Sequence, residues 1–231
     1  MQYGQIVSGK FILRNNRFVA QVAVNGQTEL CHVKNTGRCR ELLIPGAEVF
    51  LALSDDPVRK TRYDLVAVRK ERPGQEPLLI NMDSQIPNGV VGEYLPRSGL
   101  FSAETVFKRE VHYNNSRFDF FAEDGKRKVF IEVKGVTLEK EGAALFPDAP
   151  TERGVKHLNE LVQAVGEGFE CYVFFVIQMK EIHCFRPNDD MHPAFGKALR
   201  AAAASGVKLL AMDCIVTPDS LVIDAPVRID L

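Results

Sequence analysis

Tryptophan is absent from the 231 residues, and tyrosine occurs only five times. There is accordingly no cluster of Trp or Tyr to support a carbohydrate-binding surface. No apolar run approaches the ~20 residues a bilayer-spanning helix needs, so no membrane partner is expected. The first residues, MQYGQIVSGKFILRNNRF, lack the apolar core and small-residue cleavage site of a secretory signal. A cytoplasmic location is the expectation. The five cysteines (Cys31, Cys39, Cys171, Cys184 and Cys214) include no CxxC pair, so neither a structural zinc site nor a redox dithiol is indicated. Cys171 and Cys184 sit in apolar runs and read as buried thiols, and disulfides are not expected. Charge of one sign is not in excess either: 29 Lys+Arg meet 30 Asp+Glu. The chain as a whole is no polycation, and no helix-turn-helix pattern is evident.

The charge that is present is unevenly placed. Residues 1–84 hold 12 Lys+Arg against 9 Asp+Glu, and the remainder 17 against 21. A mildly basic first part beside an acidic second part suits a nucleic-acid grip next to a metal pocket, and equally suits ordinary surface variation. The first part alternates like a β protein. FILRNNRFVAQVAVNG has a polar turn between apolar runs, and Asn25-Gly26 is a strong hairpin signal before ELCHV. AEVFLALS, after the turn at Pro45-Gly46, and YDLVAVRKE add two more strands. Five or so short strands in this span suit a small Greek-key barrel such as the OB-fold.

The segment from Leu78 to Phe101, rich in Pro, Gly and Asn, reads as the crossing between domains 1–82 and 83–231. Beyond it, AETVFKREVH reads as a helix. SRFDFFAED and KVFIEVKGVTLE read as adjacent strands joined at Asp124-Gly125. TERGVKHLNELVQAVGEG carries Val155, Leu158, Leu161, Val162 and Val165 at helical spacing. CYVFFVIQM suits a strand buried on both faces, PAFGKALRAAAASG a second helix, and VKLLAMDCIV a further strand. The expected fold is therefore α+β with two domains. A small β-barrel precedes a mixed sheet with parallel pairs, flanked by helices.

Alternate side chains of a strand share a face, so Glu132 and Lys134 point the same way. Asp119 lies on the preceding strand and comes close to Glu132 if the two strands pair. Two carboxylates can hold Mg²⁺ or Mn²⁺, and an amine beside them can orient a water or offset charge on phosphorus. An isolated Glu-Val-Lys is more often just a charged hairpin face. Asp119 at hairpin distance, together with the resemblance described next, raises this one above that reading.

The stretches SRFDF, IEVKGVTL, FPDAPTERGVKHLNEL and HVKNTGRCRELLIPGAEVFL resemble the sugar fermentation stimulation protein family (SfsA) over nearly the whole chain. The resemblance implies an N-terminal OB-fold and a PD-(D/E)XK endonuclease-like domain, with Asp119, Glu132 and Lys134 as the nuclease triplet. Phe118 stands where the superfamily name has proline, a departure common in that superfamily. It also implies DNA and/or RNA as partner.

Other positions are candidates with an alternative beside each. Glu110, and less so Glu104, on the expected helix could add a metal ligand or belong to a solvated face. Arg153 and Lys156, near a helix start, read as phosphate contacts. His157 could relay a proton or simply pack. Asp148 could cap the helix or pair with Arg153. Lys34, Asn35, Thr36, Arg38 and Arg40 form a polar, basic loop that could grip a nucleic-acid backbone, or Asn35-Thr36-Gly37 could be a turn. Phe11, Phe18 and Phe50 could stack on bases but at strand spacing are more often core. The leading expectation is a Mg²⁺- or Mn²⁺-dependent nuclease. The alternative is a non-catalytic DNA-binding regulator of sugar (maltose) utilisation genes. The sequence leaves the oligomeric state open, a homodimer included.

Overall fold

The computed structural model describes residues 1–231 except 36, 55 and 57. The first domain is built from β1 (Ile6–Arg14), β2 (Val19–Val24), β3 (Gln27–Val33), β4 (Glu48–Leu53) and β5 (Tyr63–Lys70). Neighbouring strands run antiparallel in the order β3-β2-β1-β4-β5, and a parallel pairing of β3 with β5 closes the barrel. The Asn25-Gly26 turn between β2 and β3 has φ of +50° and +80°, the conformation a two-residue hairpin demands. Ala20, Val22 and Val24 alternate inward along β2. Across from them Gly9 is obligatory, because a Cβ there would lie 2.5 Å from Val22 Cγ1 and 2.9 Å from the Ala23 carbonyl. A short β6 (Leu78–Asn81) adds to β5 before the chain leaves for the second domain.

The second domain begins with α1 (Ile86–Tyr94) and continues through β7 (Val106–Tyr113), β8 (Ser116–Asp124) and β9 (Arg127–Val136). A small hairpin, β10 (Leu138–Lys140) and β11 (Ala143–Phe146), precedes α2 (Glu152–Gly166) and β12 (Glu170–Ile177). The chain ends with β13 (Cys184–Pro187), α3 (Pro193–Ala204), β14 (Lys208–Thr217), β15 (Ser220–Pro226) and β16 (Arg228–Ile229). The main sheet has the order β15-β14-β12-β9-β8-β7, in which β9, β12 and β14 are parallel. Helices α2 and α3 supply the crossovers between them, as the alternation of strand and helix patterns anticipates. A side sheet, β10-β11-β13-β16, flanks it.

β12 shows why this sheet is buried on both faces. Val173, Phe175 and Ile177 pack with Leu158 and Leu161 of α2 and Leu199 of α3. Tyr172, Phe174 and Val176 pack on the other face with Ile86, Val90 and Val91 of α1. All five cysteines are buried free thiols.

Two sequence expectations fail here. Residues 106–113 are a strand, not a helix. Charge in FKRE imitates a helical pattern, but Phe107, Val111 and Tyr113, at even spacing, are partly buried against the core, and the rings of Phe107 and Tyr113 meet Phe101 and Phe130. Lys108 and Arg109 suit a sheet edge that must resist further pairing. Conversely, the Pro- and Gly-rich crossing contains α1. Pro87 occupies its first turn, where proline costs no hydrogen bond. Residues 1–3 depart from the barrel: Gln2 bridges Ser220, and the Met1 ammonium meets Glu93 at 2.7 Å.

Candidate active site

β8 and β9 are the central hairpin of the second domain, and their register pairs Phe120 with Ile131. Asp119 and Glu132 fall just beyond that pair, where the strands begin to part. Asp119 Oδ2 accepts the Val133 backbone N–H at 2.7 Å, and Oδ1 accepts from Asn88 Nδ2 of α1, also at 2.7 Å. Burial pushes the Asp119 carboxyl upward from the usual carboxylate range, and the charge of Glu132 adds to the rise. The hydrogen bonds to Val133 and Asn88 oppose it.

Glu132 is almost wholly enclosed, its side chain 4% exposed. Burial alone would raise its carboxyl, but the Lys134 ammonium and the His157 ring outweigh it and hold it low. Lys134 Nζ donates to Glu132 Oε1 at 2.5 Å. The same oxygen is bonded to His157 Nδ1. His157 Nε2 accepts from Arg153 Nε at 3.3 Å, which leaves the ring proton on Nδ1 to be donated to Glu132. His157 is buried on α2, whose N-terminus is capped by Thr151 Oγ1 accepting from Gly154 N at 3.1 Å. Glu132 Oε2 is buried with no hydrogen-bond partner among the described residues. An oxygen left so costs free energy, and a hard cation is the partner that carboxylate chemistry favours. The donor set therefore fits a divalent ion. Among the described residues no three His, Cys, Asp or Glu side chains are arranged to hold a metal. Such an ion would take two carboxylates and complete its shell with backbone carbonyl and water.

Asp119, Glu132, Lys134, His157 and Arg153 are thus brought together. Glu110 is not. It lies on edge strand β7 with φ of +57°, and its carboxylate pairs with Arg117 at 2.7 Å in solvent. Glu104 lies in an exposed turn. Lys156 reaches away from the carboxylates, donating to the Asn115 carbonyl at 2.6 Å. Asn88 escapes sequence reasoning because α1 does. Ile86, Val90, Val91 and Leu95, at helical spacing, are the signal that reveals it.

In the barrel loop, Lys34 points inward, 3.2 Å from the fully buried Asp83 and 3.7 Å from Asp64. Asn35 is buried, its amide donating to the Met82 carbonyl at 2.9 Å while its side-chain oxygen accepts from Gly37 N, so it is the turn residue of this loop. Thr36 lies outside the described residues. Arg38 and Arg40 are exposed and share a depression with Arg14, Arg17 and Asn16. Arg14 holds the loop by donating to the carbonyls of Arg17, Asn35, Gly37 and Arg38. Phe11 and Phe50 are core, whereas Phe18 is 43% exposed with the Arg17 guanidinium 4.8 Å above its ring.

A closed five-stranded barrel with an OB topology, followed by a mixed sheet whose central hairpin carries Asp-…-Glu-x-Lys, defines a two-domain protein with an OB domain and a restriction-endonuclease-like domain. The model of the SfsA N-terminal OB domain matches residues 12–77, and that of the sugar fermentation stimulation protein RE domain matches residues 85–220. The chain belongs to the SfsA family. It is 59% identical over 221 residues to the sugar fermentation stimulation protein homolog of Desulfitobacterium hafniense strain Y51, covering 96% of this chain and 94% of that one. With the homolog of Clostridium beijerinckii it shares 53% over 221 residues, 96% of each chain. A solved structure described as Pyrococcus furiosus SfsA in complex with Ca2+ superposes with a TM-score of 0.88 at 24% identity. That match covers 100% of this chain and 98% of that one.

Proposed function

We propose that the protein is a metal-dependent nuclease that hydrolyses phosphodiester bonds of DNA and/or RNA, with the barrel holding the nucleic acid. The observation that carries this reading is Glu132. A buried carboxylate with one oxygen unpartnered among the described residues, next to a second, partly buried carboxylate and a lysine, is costly to keep for structure alone. Asp119 and Glu132 would hold Mg²⁺ or Mn²⁺. When bound, the ion polarises the phosphate and acidifies a water. Lys134, anchored on Glu132 Oε1, would donate a hydrogen bond to the attacking water and offset charge growing on phosphorus. His157 keeps the Glu132 carboxylate from turning, as ring N–H groups commonly do behind metal ligands. Arg153 presents its remaining N–H groups at the start of α2 as a fork for phosphate. The Ca2+ named for the Pyrococcus furiosus relative is also a hard, oxygen-seeking ion.

The test uses labelled single- and double-stranded DNA and RNA with Mg²⁺, Mn²⁺ or EDTA. Cleavage is expected with a metal and absent in EDTA, and Asp119→Ala and Glu132→Ala should abolish it while circular dichroism stays native. Cleavage that survives in both purified variants removes the site. Binding without cleavage in any metal favours the regulator.

A further inference from the structure

A cavity of about 280 Å³ lies where the barrel loop meets the second domain, and it begins at Gly135, one residue beyond Lys134. Its walls are of two kinds. Phe146, Pro147 and Pro150 supply flat apolar surface, and Thr137 and Asp148 supply polar edges. Phe146 is half-buried, its ring braced by Phe195 at 5.1 Å between centroids. Asp148 is acidic and its carboxylate lies against Gly37 on the cavity wall: a Cβ on Gly37 would sit 2.2 Å from Asp148 Oδ2. Burial raises the Asp148 carboxyl. A carboxylate repels phosphate but accepts well from the amino and imino groups on a base edge. Flat apolar walls with a few acceptors are what an unpaired base requires.

Gly37 also lines the arginine depression of Arg14, Arg17, Arg38 and Arg40. The basic surface and the cavity therefore meet at one residue. From Gly135 back to Glu132 is about 10 Å of strand at ~3.3 Å per residue. The arginines, the cavity and the strand that carries the carboxylates thus lie in succession. Glu132 and Lys134 are recessed, with side chains 4% and 15% exposed. A duplex, rigid and bearing its phosphates on the outside of paired bases, does not follow such a path, whereas a single strand with splayed bases does.

The geometry points to single-stranded nucleic acid as the substrate class: its phosphates lie on the arginines and on the Lys134 side, and one unpaired base is seated in the cavity between Phe146 and Asp148. The inference rests on the nuclease reading for its purpose, but its measurement does not. Fluorescence anisotropy in EDTA, with a labelled single strand and the blunt duplex of the same sequence, reads binding alone. The full-length protein should hold the single strand at least tenfold more tightly. Ala149→Trp and, separately, Pro150→Trp fill the cavity from loop positions, and each should abolish that preference while the melting temperature is kept. Equal or tighter binding of the duplex overturns the inference, as does an undiminished preference in whichever tryptophan variants melt like the parent. Single-strand preference without cleavage in any metal would sink the nuclease reading and leave this one standing. Cleavage with cavity-filled variants behaving as the parent would do the reverse.

Discussion

The carboxylates of the second domain and the arginines of the barrel occupy opposite physical settings. Glu132 is buried and Asp119 partly so, and their carboxyls are shifted in opposite directions, Asp119 up and Glu132 down. Arg17, Arg38 and Arg40 stand in water around a depression. Burying charge costs several kcal/mol per ion unless partners offset it, and at Glu132 the offset is incomplete, since Oε2 has no partner among the described residues. Exposed arginines carry no such cost and contribute through long-range, salt-screened attraction. The contrast separates a region where geometry must be exact to a fraction of an ångström from one where only the number of charges matters.

That contrast can be broken by substitution. After the loss of cleavage expected for the two carboxylates, the largest effect is expected at Lys134: Lys134→Ala should lower kcat by about 10²–10³, the range for removing one electrostatic donor at a reacting centre, with KM little changed. Steady-state kinetics on a labelled oligonucleotide in Mn²⁺ would check it, and a pure KM effect would move Lys134 out of the chemistry. His157→Ala should cost about 10–100-fold, as for loss of a residue that orients a metal ligand. Its second readout is metal affinity, measured by titrating Mn²⁺ into the protein. Unaltered affinity would show that His157 merely packs. Asn88→Ala, removing one of the two hydrogen bonds that fix Asp119, should act in the same direction and less strongly.

Much of this site was legible because strand periodicity is blunt. A period of two sets Glu132 and Lys134 on one face, and the Asp124-Gly125 turn brings Asp119 alongside. His157 was harder, because a helical histidine becomes a positioning residue only once α2 is laid across β9. Lys34 and Asn35 looked like a surface grip, since the sequence cannot show that Asp83 and Met82 come to lie beneath the loop. Glu110 was misplaced with its element: charge at FKRE outweighed the β-branched and aromatic content of VFKREVHY. In the barrel, turn chemistry at Asn25-Gly26 and the alternation of β2 were enough to anticipate strands. Closure by β3 on β5 is a long-range pairing that no local pattern encodes.

Smaller effects sharpen the other half of the comparison. Arg38→Ala and Arg40→Ala should each weaken binding of every sequence alike. Each should also reduce the slope of log K against log salt by about one if that side chain neutralises one phosphate. Anisotropy titrations across a salt series would show it. A loss confined to one sequence would mean base contact instead.

The smallest effect expected is on stability, at the start of β12, where Glu170 pairs with Val129 of β9. Glu170 accepts from Arg127 Nε at 2.9 Å and Nη2 at 3.1 Å, from Tyr172 at 2.6 Å, and from Lys208. The Arg127 guanidinium, aided by Lys208 and Tyr172 against the opposing effect of burial, lowers its carboxyl to about 2. A carboxyl that is more acidic folded than unfolded releases its proton more readily in the native state. Its stabilisation is therefore present at and above the unfolded value of about 4.3 and drains away as pH falls toward 2. Because the partners are partly exposed, solvent screening leaves on the order of 1 kcal/mol. Urea midpoints for Glu170→Gln should accordingly fall below the parent at pH 7 and converge with it near pH 2. A constant gap across that range would assign the loss to packing rather than to charge.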